Sequence, residues 1–236
     1  MAKGLQAAQG VQSNDIALVE VSVVLVSNQN DPSILNPDFM RYNRIVDKAL
    51  SLKEAPVSTP VFSQLIYEGE IVVRAEPQRF VFEQKGHPLS EDECVIPLVA
   101  RRFAEVVAQI PYSATGINAK SFRPLNDKSS YSIADVLIDG GKWMSFMDVQ
   151  PDIHLKALYR YESRQIAMDV GRVNVQRNDG SESHGVLFQA NIHRDIRETT
   201  QERRLALISS TVDSWREDIS DFKALMRKFQ SMEIPE

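Results

Sequence analysis

The sequence contains one cysteine, Cys94, so it cannot form an intrachain disulfide. A single thiol is typical of proteins in a reducing compartment, and we therefore expect a cytoplasmic protein. No apolar run approaches the roughly 18 residues that cross a bilayer, which argues against a membrane-spanning helix. Residues 1–15 also lack the apolar centre of a signal peptide, and we expect them to form a flexible tail.

The sequence also lacks the short motifs of familiar chemistry. It has no Gly-x-Gly-x-x-Gly, no phosphate-binding loop with Gly-Lys-Ser/Thr, no His-Glu-x-x-His, no Gly-x-Ser-x-Gly and no Cys-x-x-Cys. We therefore predict no cofactor, no metal site and no catalytic residue of a known class. The formal net charge of −5 argues against attraction to polyanions, which makes nucleic acid a poor candidate partner.

The composition itself is that of an ordinary folded domain. The 236 residues are 43% hydrophobic and 25% charged, enough to bury a substantial core. The side chains of residues 16–26 would alternate between the two faces of a strand. Both faces are rather apolar, which predicts a central strand. Asn36-Pro37-Asp38 is a typical helix start, and the apolar spacing after it continues to Ala49.

A meander of strands and a second helix follow in the first half. Residues 61–67, 70–75 and 79–84 are short apolar runs separated by turn residues, which predicts antiparallel hairpins. Ser90 and Glu93 form a capping box, and a helix is expected from there to Pro111. Residues 112–122 read as another strand, in which Gly116 suggests a bulge or a close approach of the backbone. The apolar face of the helix is predicted to contain Ile96, Val99, Phe103, Val106, Val107 and Ile110.

The second half repeats this order of elements. After a linker-like stretch at residues 123–130, Ser132 and Asp135 predict a helix start, and residues 154–162, 165–176 and 184–194 predict three strands. In the last strand, apolar and polar residues alternate with a period of two, which predicts one face towards the core and one away from it. Val186, Phe188, Ala190 and Ile192 are expected to face the core, and Gln189, Asn191 and His193 to face away from it.

This order predicts the fold class. We expect one α+β domain over residues 16–236, with mostly antiparallel strands from two pseudo-repeated halves and the helices on one side. The halves, 16–125 and 126–236, share the order helix, three strands, helix, strand, but the second lacks its closing strand. Residues 16–26 are expected to fill that place by pairing across. Whether the strands form one saddle-shaped sheet or two sheets stays open.

The C-terminal segment predicts one long amphipathic helix. Thr199 and Glu202 form a capping box, and apolar residues recur at spacings of three and four as far as Phe229. The segment up to Phe222 is expected to pack on the chain's own sheet, with a weak point at residues 209–211. Asp218 and Lys223 occupy positions that could pair between parallel chains. Leu225, Met226 and Phe229 are the predicted interface to a second subunit, as a homodimer or with a protein partner.

A few polar residues are candidates for chemistry. His193 and Asp195 lie two apart on a predicted strand and therefore share a face, as an acid–base pair would require, and His154 is a third candidate. The same spacing arises often by chance. Cys94 falls near a helix start, but the acids around it oppose a thiolate, and a structural role is the better interpretation.

Several short features together resemble a known family. They are Asn36-Pro37-Asp38-Phe39, Ala75-Glu76-Pro77-x-Arg79-Phe80, Gly116-Ile117-Asn118, and Asn191-x-His193-x-Asp195 ahead of an amphipathic C-terminal helix. With the valine-rich first strand, they resemble a sporadically distributed family of uncharacterised bacterial α+β proteins of about this length. The resemblance covers most of the chain and implies a bacterial protein, with no particular activity.

Three functional hypotheses follow from these observations. The first is a non-enzymatic interaction or assembly protein, because the apolar helix is long and no catalytic group is recognisable. The second is a small-molecule or lipid-binding module with a cavity between the sheet and the C-terminal helix. The third is an enzyme with a His/Asp site at His193, Asp195 and His154.

Overall fold

The computed structural model describes residues 17–124, 153–176 and 182–230. In these ranges nine strands form a single sheet in which every pair of neighbours is antiparallel. The strands are β1 (Leu18–Ser27), β2 (Val57–Thr59), β3 (Phe62–Tyr67), β4 (Ile71–Glu76), β5 (Arg79–Leu89), β6 (Tyr112–Pro124), β7 (His154–Arg160), β8 (Gln165–Gln176) and β9 (Glu182–Asp195).

The helices are fewer and stand between or after the strands. They are α1 (Pro37–Tyr42), α2 (Ile96–Val106), α3 (Gln201–Asp213) and α4 (Trp215–Gln230), and a 3-10 turn at Pro32–Ile34 precedes α1. The α+β class, the large antiparallel sheet and the long helical segment at the C-terminus are therefore confirmed. The predictions for residues 1–15 and for a helix beginning near Ser132 lie outside the described residues.

The strand order is β2-β3-β4-β5-β1-β6-β9-β8-β7, which places β1 in the interior of the sheet as its apolar faces predicted. Val23 in β1 pairs with Phe82 on one side and with Ile117 on the other. These residues belong to an apolar row that crosses eight strands on one face of the sheet. The row is Leu65, Val73, Phe82, Val23, Ile117, Ile192, Ile166 and Tyr159.

The helices cover the face of the sheet that carries this row. Phe103 of α2 contacts Phe80 and Phe82 with ring centroids 4.7 and 5.2 Å apart, and Phe39 lies 6.2 Å away. Arg194, which shares the face of Ile192, bonds to α4, so α2 and α4 lie on the same side. One continuous cluster of buried side chains joins the strands of both halves to these helices.

The register predicted for the last strand is confirmed. Val186, Phe188, Ala190 and Ile192 are at most 8% exposed, whereas Gln189 and Asn191 are exposed and His193 is half-exposed. The bulge suggested at Gly116 is wrong. That residue pairs in register with both neighbouring strands, and the irregularities of the β1–β6 ladder lie at its two ends.

The start of α1 is as predicted, and its end, which the sequence left open, lies at Tyr42. Asn36 Oδ1 accepts a hydrogen bond from the amide of Phe39 at 2.8 Å, and Pro37 follows at the first helical position. The helix stops at Tyr42 because Arg44 adopts a left-handed backbone with φ of 56°. Ile45 then turns inward and is fully buried, so the apolar spacing beyond Tyr42 reflects core packing outside a helix.

The capping box predicted at Ser90 and Glu93 is replaced by a tertiary cap. The N-cap of α2 is Val95, which has no capping side chain of its own. Gln84 of β5 accepts a hydrogen bond from the Val95 amide at 2.9 Å and donates one to the Glu93 carbonyl at 3.1 Å. The sheet therefore supplies the partners that a helix start requires, and local sequence gave no sign of it.

The long C-terminal helix is in fact two helices. Thr200, one residue later than predicted, caps α3 by accepting a hydrogen bond from the amide of Arg203. The break comes at Ser214, whose hydroxyl donates to the Thr211 carbonyl at 3.2 Å. The break therefore lies three residues beyond the weak point expected at residues 209–211.

Candidate functional site

The structure brings together His193 and Asp195 on β9. His193 Nε2 lies 3.0 Å from Asp195 Oδ1, and both side chains are on the face of the sheet away from the helices. This hydrogen bond holds the pKa of Asp195 below its usual range, and Arg197 contributes in the same direction. The Asp195 side chain is 51% exposed, so solvent competes with the interaction.

His154 is not part of that pair. It pairs with Gly171 on β8, whereas His193 pairs with Gln165. Six residues of strand span about 20 Å at roughly 3.3 Å per residue. Because proton transfer requires hydrogen-bond reach, His154 cannot act with His193 in this arrangement.

The predicted interface residues of α4 pack against their own chain. Met226 is fully buried, and Leu225 and Phe229 are half-buried against the same core. Met226 is therefore not available to a second subunit. The exposed positions of α4 are mostly polar or charged, namely Arg216, Glu217, Ser220, Ala224, Arg227 and Lys228.

The two charged residues of α4 that could pair between parallel chains form ion pairs within the chain. Asp218 is fully buried and accepts two hydrogen bonds from Arg194, at 2.7 and 2.8 Å, and one from Arg164 at 2.6 Å. Lys223 pairs with Glu91 at 2.5 Å. These contacts fix α4 to the ends of β8 and β9 and to the segment ahead of α2, so both side chains have partners within the chain.

The space between the sheet and the C-terminal helices contains closely packed side chains. Ile208, Val212, Ile219 and Phe222 are at most 1% exposed and belong to the continuous core. Among the residues that the structure describes, the side chains between the sheet and these helices therefore form part of the core, and a ligand cavity at this place stays a prediction.

Polar groups on the opposite face of the sheet are paired with one another. Lys120 lies 2.8 Å from Glu20, and Asn118 Nδ2 donates to Ser22 Oγ at 3.0 Å. Asn191, which the sequence also singled out, donates to Asn118 Oδ1. These side chains satisfy one another's charges and hydrogen-bonding groups on the sheet. They therefore have little capacity left to bind a polyanion.

Cys94 lies half-buried against the core beside the start of α2. Burial raises the pKa of its thiol to about 11, and a backbone hydrogen bond from Ile96 opposes the rise. The structure agrees with the structural role expected from the sequence.

The environment of Cys94 predicts that its thiol reacts slowly. With a pKa near 11, only about one thiol in a thousand is ionised at pH 8, and the thiolate is the reactive form. We expect the reaction of Cys94 with Ellman's reagent to be at least about 100-fold slower in the folded protein than in urea. Equal rates in the two conditions would show that the thiol is accessible and ionised.

The most unusual surface of the described residues is the outward face of α2. Val95, Leu98 and Val106 are 41%, 46% and 37% exposed, although the opposite side of the helix is buried. The four-residue spacing puts Leu98, Arg102 and Val106 on one side of the helix. We call Val95, Leu98, Arg102 and Val106 the α2 stripe. Val106 was predicted to face the core, and that assignment is wrong.

A surface cavity of about 530 Å³ adjoins the stripe. It lies between α2 and the segment that follows α1, and Arg102 and Val106 belong both to it and to the stripe. We call it the α1–α2 pocket. Its lining residues are Asn43, Arg44, Val46, Asp47, Lys48, Arg102, Glu105 and Val106.

The acids of this pocket are partnered, whereas its cations are not. Arg101 lies 3.0 Å from Glu105, and Asp47 Oδ1 accepts a hydrogen bond from the amide of Ala49 at 2.8 Å. Among the described residues, no carboxylate lies within 4.0 Å of the charged nitrogens of Arg44, Lys48 or Arg102. The pocket therefore has spare capacity for an anion.

In the described ranges, no group of three or more His, Cys, Asp or Glu side chains is arranged to hold a metal ion. None of the helices in that part of the chain is both long and apolar enough to span a membrane.

Comparison with known proteins adds no family. No protein-family model matches the chain, and no curated protein matches it significantly.

Proposed function

We propose that this chain is a non-enzymatic interaction protein of a bacterial cytoplasm, and that a partner protein docks along the α2 stripe. The observation that carries the proposal is the exposure of Leu98 and Val106 on α2, and of Val95 at its N-cap, although the other face of the helix lies in the core. Exposed apolar side chains grouped on one surface are found at protein interaction sites. A partner segment that lies along α2 would cover these side chains, which are spaced about one helical turn apart.

The partner is a protein segment with apolar side chains next to acidic ones. The apolar part follows from the stripe. The acidic part follows from charge complementarity with Arg44, Lys48 and Arg102, which have no carboxylate partner among the described residues. The mixture of cations and acids in the pocket disfavours a polyanion such as nucleic acid.

A pseudo-duplicated architecture supports the choice of surface. We infer that the two halves are pseudo-equivalent, with β1 as the closing strand of the second half. In support, β1 and β6 form a central pair, and a three-strand meander flanks each of them, β3 to β5 on one side and β7 to β9 on the other. The helices of the second half, α3 and α4, expose mostly polar residues. The apolar exposure of α2 is therefore not a requirement of this architecture.

Self-association through the C-terminal helix stays a second candidate. Leu225 and Phe229 are half-buried and retain some apolar surface for a homodimer. Sedimentation over a range of concentrations tests it, since a dimer that Phe229→Ala weakens would favour that interface. A dimer that Leu98→Asp abolishes would identify a second copy as the occupant of the α2 stripe and would contradict the partner proposed here.

The proposed docking surface is tested by selecting ligands for it directly. Peptides of twelve random residues, displayed on phage, are selected against the full chain, and the affinities of the recovered peptides are measured. Leu98→Asp places a charge in the centre of the stripe, and we expect it to weaken binding at least about tenfold, equivalent to about 1.4 kcal/mol.

The matched control is Ala224→Asp, which adds the same charge at an exposed position of α4. We expect it to leave peptide binding unchanged. Recovery of no binding peptide, or equal losses in the two variants, would contradict the proposal.

A further inference from the structure

The α1–α2 pocket includes a residue with an unusual backbone conformation. Arg44 is one of two non-glycine residues in the described ranges with a positive φ, and it belongs to the pocket lining. Its turn is held by hydrogen bonds from Arg44 N to Arg41 O at 3.0 Å and from Ile45 N to Met40 O at 2.9 Å. Buried Ile45 and Val46 anchor the next residues. A backbone conformation that most residues avoid is thus maintained beside three unpartnered cations.

The pocket and the α2 stripe form a continuous surface. Arg102 lies four residues from Leu98, about 6 Å along the helix at roughly 1.5 Å per residue. Its guanidinium donates a weak hydrogen bond to the Arg44 carbonyl at 3.5 Å and keeps its remaining donors. A segment that covers Leu98 therefore brings its next turn over Arg102.

We propose that the α1–α2 pocket binds carboxylate side chains of the partner segment, three or four residues from the apolar side chain that covers Leu98. This inference rests on the proposed function, because it specifies the partner that occupies the stripe. Arg44 and Arg102 offer planar donors suited to a carboxylate, and Lys48 adds a mobile positive charge. Asp47 and Glu105, in the same lining, keep the site from the density of positive charge that a phosphate dianion favours.

The test uses the peptides recovered by selection on the full chain. We expect them to contain Asp or Glu three or four residues from a large apolar residue. Replacing that acid with its amide is expected to weaken binding to the parent protein about tenfold, and raising the salt concentration is expected to weaken binding of the acidic peptide more than that of the amide peptide.

A double-mutant cycle locates the acid on the protein. In a variant with Arg44→Gln, Lys48→Gln and Arg102→Gln, the acid and amide peptides are expected to bind equally, since the three groups that recognise the charge are gone. The control is Arg227→Gln on the exposed side of α4, in which the tenfold preference for the acid is expected to persist.

Each alternative outcome has a distinct meaning. Peptides that bind the stripe with no preference for the acid would overturn this inference and the acidic part of the proposed partner, but not the docking of an apolar segment on the α2 stripe. Failure of Leu98→Asp to weaken binding would overturn the proposed function itself. Displacement of the acidic peptide by millimolar inorganic phosphate, with no effect on the amide peptide, would show a site for free oxyanions and would also overturn the inference.

Discussion

Asp218→Ala is expected to lower the free energy of unfolding by about 3–5 kcal/mol, the usual loss when one partner of a buried ion pair is removed. The Asp218 side chain is 0% exposed, and those of Arg194 and Arg164 are 13% and 23% exposed. Removal of the carboxylate leaves the largely buried guanidinium of Arg194 without its counter-charge and leaves Arg164 with Asp221 alone. The measurement is urea unfolding of the variant and the parent, followed by circular dichroism.

Asp221→Ala is the matched control for this experiment. Asp221 lies on the same helix and pairs with the same Arg164, but its side chain is 45% exposed. Because exposed ion pairs contribute little, we expect a loss below about 1 kcal/mol. Similar losses in the two variants would show that burial of Asp218 does not set the strength of this cluster.

Phe103→Ala is expected to cost about 3–5 kcal/mol, as large aromatic truncations in a core do. Phe103 is fully buried and is the ring that Phe39, Phe80 and Phe82 share, so its removal opens a cavity between α2 and the sheet. The loss appears as a lower midpoint of urea unfolding with an unchanged slope.

Tyr42→Ala provides the comparison for the truncation of Phe103. It removes an aromatic ring of similar size that is 88% exposed, and we expect a change within about 0.5 kcal/mol. Phe103→Leu, which refills part of the space, is expected to fall between the two. A Phe103→Ala protein as stable as the Tyr42→Ala protein would mean that α2 is not held by this aromatic cluster.

Strands were the most predictable part of the fold. Period-two alternation in β9 assigned Phe188 inward and Gln189 outward, and the turn residues between β3, β4 and β5 located the hairpins. Both signals depend only on neighbouring residues and on the geometry of an extended chain. The central position of β1 followed for the same reason, since its two apolar faces are a property of the strand itself.

Helix ends were less predictable because groups distant in sequence determine them. The start of α2 depends on Gln84, which is eleven residues from Val95. The break at Ser214 falls in a segment whose apolar spacing continues on both sides, so that spacing gave no sign of it. From its position in the sequence pattern, Asp218 could have paired with another chain, and only the tertiary structure shows its hydrogen bonds to Arg164 and Arg194.

The sequence by itself determined the α+β class, the antiparallel strands, the inward face of β9 and the apolar character of the C-terminal segment, because each depends on local periodicity. Tertiary structure alone decided which apolar residues of α2 are covered, since a helix with apolar residues on two sides reveals its outward face only when it lies on a sheet. It also brought Arg44 next to Arg102, 58 residues away, and buried Asp218 between two arginines. Such long-range contacts depend on the path of the whole chain, which no local pattern encodes.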